Sequence, residues 1–232
     1  MTTSKVWNGP LDDAEWPDKL TARVVTQGPC PRLHGYDVEG DLARHYSFAE
    51  TVLLALTGRL PSAEEARAFD VALQFAAPAP AQEAPTHAAI IARICVASTS
   101  QIQGAAAIAL GEQARVLVAE HGAWIETLAG PLTEVPVAFR AGNDVERESV
   151  GRLRRALRGT VDVPALWHDL GRAPALIATL HACGLKTAEV IECALVLAKL
   201  PIAMAEALAT PAGSHRQYPV QLPTITYTEE PS

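Results

Sequence analysis

Aromatic side chains are scarce in this chain, 5% of residues against 49% for hydrophobic residues as a whole. The core must therefore be filled by Ala, Leu, Val and Ile, a helix-packing composition that predicts an all-α fold. A basic excess is lacking too. The formal net charge of -7 offers no positive field to a phosphate backbone, so no nucleic-acid partner is expected. Cys30, Cys95, Cys183 and Cys193 form no CxxC pair, and no metal site is expected. The opening MTTSKVWNGPLDD has acidic residues where a secretory signal needs an apolar run, which predicts a cytoplasmic protein with reduced thiols. The longest apolar stretch, VIECALVLAKLPIAMAEALA, carries Glu192, Lys199 and Glu206, costly in lipid, so no membrane span is expected. P-loop, dinucleotide fingerprint, HExxH and GxSxG are all missing.

What is present is helical punctuation. The 232 residues are enough for one sizeable core with a minor lobe. The expected plan is an irregular arm over 1–43, a large helical part over 44–132 and 160–210, a reduced small lobe over 133–159, and an extended tail over 211–232. Short strands are confined to the arm and the tail. Ser47 stands three residues before Glu50, the capping-box spacing, and FAETVLLALTG then reads as a helix of about ten residues ended by Gly58. Ser62 and Glu65 repeat the device before EEARAFDVALQFA. APAPAQEAPT reads as a linker, and helical patterning resumes at HAAIIARICVA. QIQGAAAIALG is small enough to pack closely on a neighbour, with Gly111 ending or bending it. RVLVAEHGAWIETLAG places Leu117, Trp124 and Leu128 on one helical face until Gly130 and Pro131 stop it. Residues 133–150 read as loop, and VGRLRRALRG as a short basic helix. In the last helix Glu192, Lys199 and Glu206 recur every seven residues as a narrow polar stripe, which predicts a mostly buried helix kinked at Pro201.

Seven histidines are available for acid–base work: His34, His45, His87, His121, His168, His181 and His215. His121 and His168 stand out, since HG before a helix and WHD each put an imidazole near a turn or a carboxylate. Without a converging partner, ordinary surface or core histidines are the simpler reading. Arg152, Arg154, Arg155 and Arg158 cluster within seven residues and match a phosphorylated cofactor bidentately, although a solvated helical face is the commoner outcome for such a run.

Three segments in order carry a resemblance: HGYDVEGDLARHYSFAETVLLALTGRLPSAEEARAFDVAL, PTHAAIIARICVASTSQIQGAAAIALG and LHACGLKTAEVIECALVLAKLPIAMAEAL. Together they resemble the citrate synthase superfamily, above all its short citryl-CoA-lyase-type members and the citrate-synthase-like module of ATP-citrate lyase. The resemblance implies carbon–carbon bond formation or cleavage between an acyl-CoA and a keto acid. It also implies two histidines that polarise carbonyl groups and an aspartate that abstracts a proton. The first histidine belongs to an HGGA turn, and an ungapped reading of ALGEQARV puts Ala114 there. The second belongs to PGFGH, and PVAFR puts Arg140 there. The aspartate position, twelve residues before Leu185, is Ala173.

A methyl group has no exchangeable proton and a guanidinium does not give its proton up, so this reading leaves no acid–base cycle. Arg140 and Lys199, the latter at a substrate-binding arginine of the family, remain as carboxylate ligands. An alternative alignment inserts seven residues, makes His121 the first histidine and shortens the following helix to about two turns. Asp162 or Asp169 would then replace the carboxylate. The leading expectation is a non-catalytic subunit that needs no cofactor and pairs with itself, as a homo-oligomer, or with a competent citrate-synthase-like catalytic subunit. The alternatives are a divergent acyl-CoA lyase or synthase, and a module that binds a carboxylate or a CoA ester.

Overall fold

The structure, a computed structural model, describes residues 21–161 and 169–213. The chain divides into two compact units, Met1–Arg59 and Leu60–Ser232. In the first, β1 (Val25–Thr26), β2 (Arg32–Leu33) and β3 (Tyr36–Asp37) form an antiparallel sheet in that order, with Val25 opposite Leu33 and Leu33 opposite Tyr36. His34 and Gly35 both have positive φ, the conformation a two-residue hairpin turn demands. Asp37 then accepts from the Glu39 and Gly40 amides at 3.0 and 2.7 Å. A Cβ at Gly40 would sit 3.1 Å from that carboxylate, so the turn is tight enough to favour glycine. A five-residue π-helical turn, Val38–Leu42, runs into the short α1 (Ala43–His45), and α2 (Phe48–Thr57) follows. The expected capping box is present: Glu50 N donates to Ser47 Oγ at 3.3 Å and Ser47 N to Glu50 Oε2 at 2.6 Å. Gly58 ends α2 at φ 75°.

The second unit contains α3 (Ala63–Ala76), α4 (Ala84–Ile94), α5 (Thr99–Glu120), α6 (Gly122–Leu128), α7 (Asp144–Ala156), α8 (Arg172–Ala182) and α9 (Ala188–Ala209). Ser62 and Glu65 cap α3 in the same reciprocal way. The mainly helical architecture is the expected one. Helices α4, α5 and α9 meet around Ala89, Ile102, Ala106, Leu110, Ala203 and Ala207, all buried, so the small side chains foreseen from composition let the helices approach closely.

Several local expectations are corrected. The linker is shorter than it reads: Ala84, Pro85 and Thr86 already belong to α4, with Pro85 in the first turn, where a missing N–H costs nothing. Gly111 does not end α5, because the tertiary contacts of Ala106, Leu110 and Ala114 outweigh one weak helix former. The helix expected through Leu117, Trp124 and Leu128 is broken at His121. The short basic helix begins at Asp144, six residues early, because the Asn143 side chain accepts from Glu146 N at 2.9 Å and caps it. Helix α9 is not mostly buried but buried on one side only, with Ile202 and Leu208 exposed, and Pro201 lies inside it. Helix α8 is the helix buried from Pro174 to His181 without interruption. The tail's ITYT segment, Asp162 and His168 lie outside the described residues.

Candidate functional site

A cavity of about 510 Å³ opens in the second unit among the end of α3, the segment before α4, α5, α7, the start of α8 and α9. Ala114 from α5, Ala173 from α8 and Lys199 from α9 all line it. Three positions that the family resemblance singled out therefore meet at one place, although 85 residues separate the outer two. The walls between them are largely apolar, with Leu110, Leu117, Leu176, Ile177 and Leu195.

The polar part of this cavity is one the sequence did not reveal. Glu83, at the N-cap of α4, accepts from Lys199 Nζ at 2.6 Å and from Gln113 Nε2 at 3.0 Å. Lys199 also lies 3.4 Å from Gln113 Oε1. Side-chain exposure is 21% for Lys199 and 28% for Glu83, so the pair is half-sheltered from water. Burial pushes the Glu83 carboxyl up, and the hydrogen bonds from Lys199 and Gln113 with the Lys199 charge outweigh it, holding the group below the ordinary carboxylate range. Arg172 at the start of α8 donates from Nη2 to Phe75 O at 2.6 Å and from Nη1 to Ser149 Oγ at 3.3 Å. Glu146 accepts from Gly142 N at 2.8 Å. No histidine lines this cavity among the described residues.

A second group of predicted residues gathers elsewhere. His121 sits between α5 and α6, and its Nδ1 lies 2.7 Å from Leu117 O. A carbonyl can only accept, so Nδ1 carries the proton and Nε2 is left as the basic nitrogen. The ring packs on Phe139 at 6.0 Å, and Phe139 on Trp124 at 5.3 Å, with Trp124 Nε1 donating to Pro174 O at 2.9 Å. Arg140 follows Phe139 and pairs through its backbone with Leu170. Ala141 N donates to Asp169 O at 2.8 Å, and Gly171 N to Phe139 O at 2.9 Å. His121, Arg140 and Asp169 therefore belong to one neighbourhood, outside the cavity lined by Ala114 and Ala173. The Arg140 side chain donates back to Val135 O at 2.9 Å. The helix after His121 is seven residues long, which is the length the alternative alignment requires.

The arginine run divides. Arg152 pairs with Glu148 at 2.6 Å on an exposed face, whereas Arg154, Arg155 and Arg158 line an open cavity of about 630 Å³ with Gly151, Gly159 and Thr160. Among the described residues no three His, Cys, Asp or Glu side chains converge as metal ligands, and no helix is long and apolar enough to cross a membrane.

Neither a family model nor a curated protein matches this sequence. Solved structures do match its fold. Citryl-CoA lyase from Hydrogenobacter thermophilus superposes over 92% of this chain and 96% of its own, at TM-score 0.62 and 17% identity. A variant of ATP citrate lyase from Methanosaeta concilii in complex with (3S)-citryl-CoA superposes over 94% of this chain, at TM-score 0.64 and 11% identity. ATP citrate lyase from Methanothrix soehngenii in complex with citrate and coenzyme A does so over 94%, at TM-score 0.59 and 11% identity. The fold is therefore that of a citrate-synthase-like helical module. Within that class the chain matches the short citryl-CoA lyase over nearly its whole length and spans 44% of each ATP citrate lyase chain.

Proposed function

We propose that the chain is a citrate-synthase-like subunit without acid–base chemistry of its own, which pairs with itself or with a catalytically competent relative and keeps a cavity for the acyl end of a CoA ester. The observation that carries this reading is that Ala114 and Ala173 face the cavity reached by Lys199, while the carboxylates there, Glu83 and Glu146, both accept hydrogen bonds from the protein. Proton abstraction needs a base aimed at the substrate, and a carboxylate held below its ordinary pKa by a lysine is a poor one. Arg154, Arg155 and Arg158 fit the phosphates of such an ester. The test is turnover of citryl-CoA, and of acetyl-CoA with oxaloacetate, by the purified chain alone and after co-expression with a competent relative. No turnover alone and co-purification with the relative are expected; turnover alone sinks the reading.

One observation favours a second reading, a divergent acyl-CoA lyase or synthase. The helix breaks at His121, with Nε2 as its basic nitrogen, next to the segments that carry Arg140 and Asp169. In that case turnover is present in the wild type and disappears in His121→Ala.

A further inference from the structure

Among the described residues four charged side chains reach the cavity, two of each sign, and each has a hydrogen-bond partner in the protein, Phe75 O and Ser149 Oγ on Arg172 being neutral. Lys199 holds Glu83, both terminal nitrogens of Arg172 are bonded to Phe75 O and Ser149 Oγ, and Glu146 takes the Gly142 amide. A ligand carboxylate that takes Lys199 as its counter-ion would have to take it from a carboxylate that is already tethered beside it. A tethered competitor acts at high effective concentration without the entropy loss that a free ligand suffers. Gln113 bonds to the same Glu83 oxygen, which fixes the competitor further.

We propose that Glu83 is an internal counter-ion that closes Lys199 to carboxylate ligands and leaves the cavity beside it for an uncharged, mainly apolar group such as the acyl end of a thioester. From the functional reading above, the inference takes only the choice of this cavity as the ligand site. Glu83 stays ionised at neutral pH, since its carboxyl is held below the ordinary range, so the closure operates under physiological conditions. Leu110, Leu117, Leu176 and Ile177 then form the surface that an acyl chain meets.

Calorimetric titration with citrate and with glutarate tests this on the wild type, E83Q and E83Q/K199M. The wild type is expected to take up neither probe. Glu83→Gln removes the charge but keeps the shape, and should gain affinity by roughly tenfold or more, the scale of a charge-assisted hydrogen bond. The added Lys199→Met should abolish that gain. A wild type that binds citrate as tightly as E83Q overturns the proposal, as does a gain that survives K199M, or no gain in a folded E83Q. Should E83Q not fold, the wild type and K199M decide the matter: carboxylate binding that K199M weakens overturns the proposal, and its absence supports it. Turnover of citryl-CoA by the wild type would strike at the silent-subunit reading alone, because the binding outcomes do not depend on turnover.

Discussion

Lys199 on α9 donates to the Glu83 carboxylate at 2.6 Å across 116 positions of sequence. With Gln113 from α5 the pair makes one polar contact among α4, α5 and α9, the three helices whose alanine-rich faces form a common core. Apolar packing of small residues is directionless, whereas a shared ion pair has one geometry. The pair therefore adds one specific geometry to that packing.

Lys199→Met is expected to lower stability by about 1–2 kcal/mol, more than an exposed pair contributes and less than a fully buried one. For a chain of this size that is a fall of about 2–8 °C in Tm. E83Q/K199M should cost less than the sum of its two single variants, because neither side chain is then left as an uncompensated charge. Scanning calorimetry on the four proteins measures the coupling, and strict additivity would count against the pair as a structural contact.

His181 gives a pH signature. It is 7% exposed on α8, and burial, with the Lys186 cation next, pushes its pKa down to about 4. The unfolded chain takes up a proton near pH 6.5 while the folded protein resists until about pH 4, so stability falls as pH drops through that window. The slope approaches about 1.4 kcal/mol per pH unit. Urea unfolding between pH 7 and 4.5 should show this loss for the wild type and a flatter dependence for His181→Leu. Equal slopes would assign the loss to other groups.

Gly104 and Gly111 lie inside α5, where a Cβ added at either position meets nothing within 4 Å. Helix interiors favour Ala over Gly by about 0.5–1 kcal/mol. Gly111→Ala should therefore stabilise the isolated chain by about that much in urea unfolding at low protein concentration. If a partner packs closely on that face, the same variant should weaken association, read by sedimentation velocity at matched concentrations. No stabilisation of the isolated chain would mean that the helix is not free at Gly111.

The features legible in the sequence are those settled within one turn of chain. Ser47 with Glu50, Ser62 with Glu65, and Gly58 each act on backbone three or four residues away, and each is found as read. The cap of α7 was equally local, since Asn143 and Glu146 carry the same spacing, but the run around it reads as loop and hides it. Other features depend on tertiary contact. Continuity of α5 through Gly111 is decided by core packing around Ala106, Leu110 and Ala114, and a glycine penalty of about 1 kcal/mol is too small to oppose it. Glu83 sits in a Pro- and Ala-rich stretch that composition assigns to a linker, so its partner on α9 has no signal in local periodicity. The meeting of Ala114, Ala173 and Lys199 came from family resemblance alone, and alanine carries no chemical signature of its own.

That meeting can be tested by restoring the missing groups. If Ala114 and Ala173 are positions from which an imidazole and a carboxylate have been lost, A114H/A173D places both at the wall of a cavity of about 510 Å³, with room for the added atoms. The variant should fold with a Tm within a few degrees of the wild type, since overpacking costs about 1–3 kcal/mol only where space is lacking. Its expected activity is exchange of the methyl protons of acetyl-CoA with deuterated solvent, a step that needs a base and a carbonyl partner but no second carboxylate substrate in the cavity. General acid–base groups contribute about 10²–10⁴-fold, so exchange followed by NMR should exceed the wild type by at least about 10²-fold. His121→Ala should leave that gain intact, because His121 lies outside the residues lining this cavity. No gain in a folded double variant, together with wild-type exchange that His121→Ala abolishes, would move the active site to the neighbourhood of His121, Arg140 and Asp169.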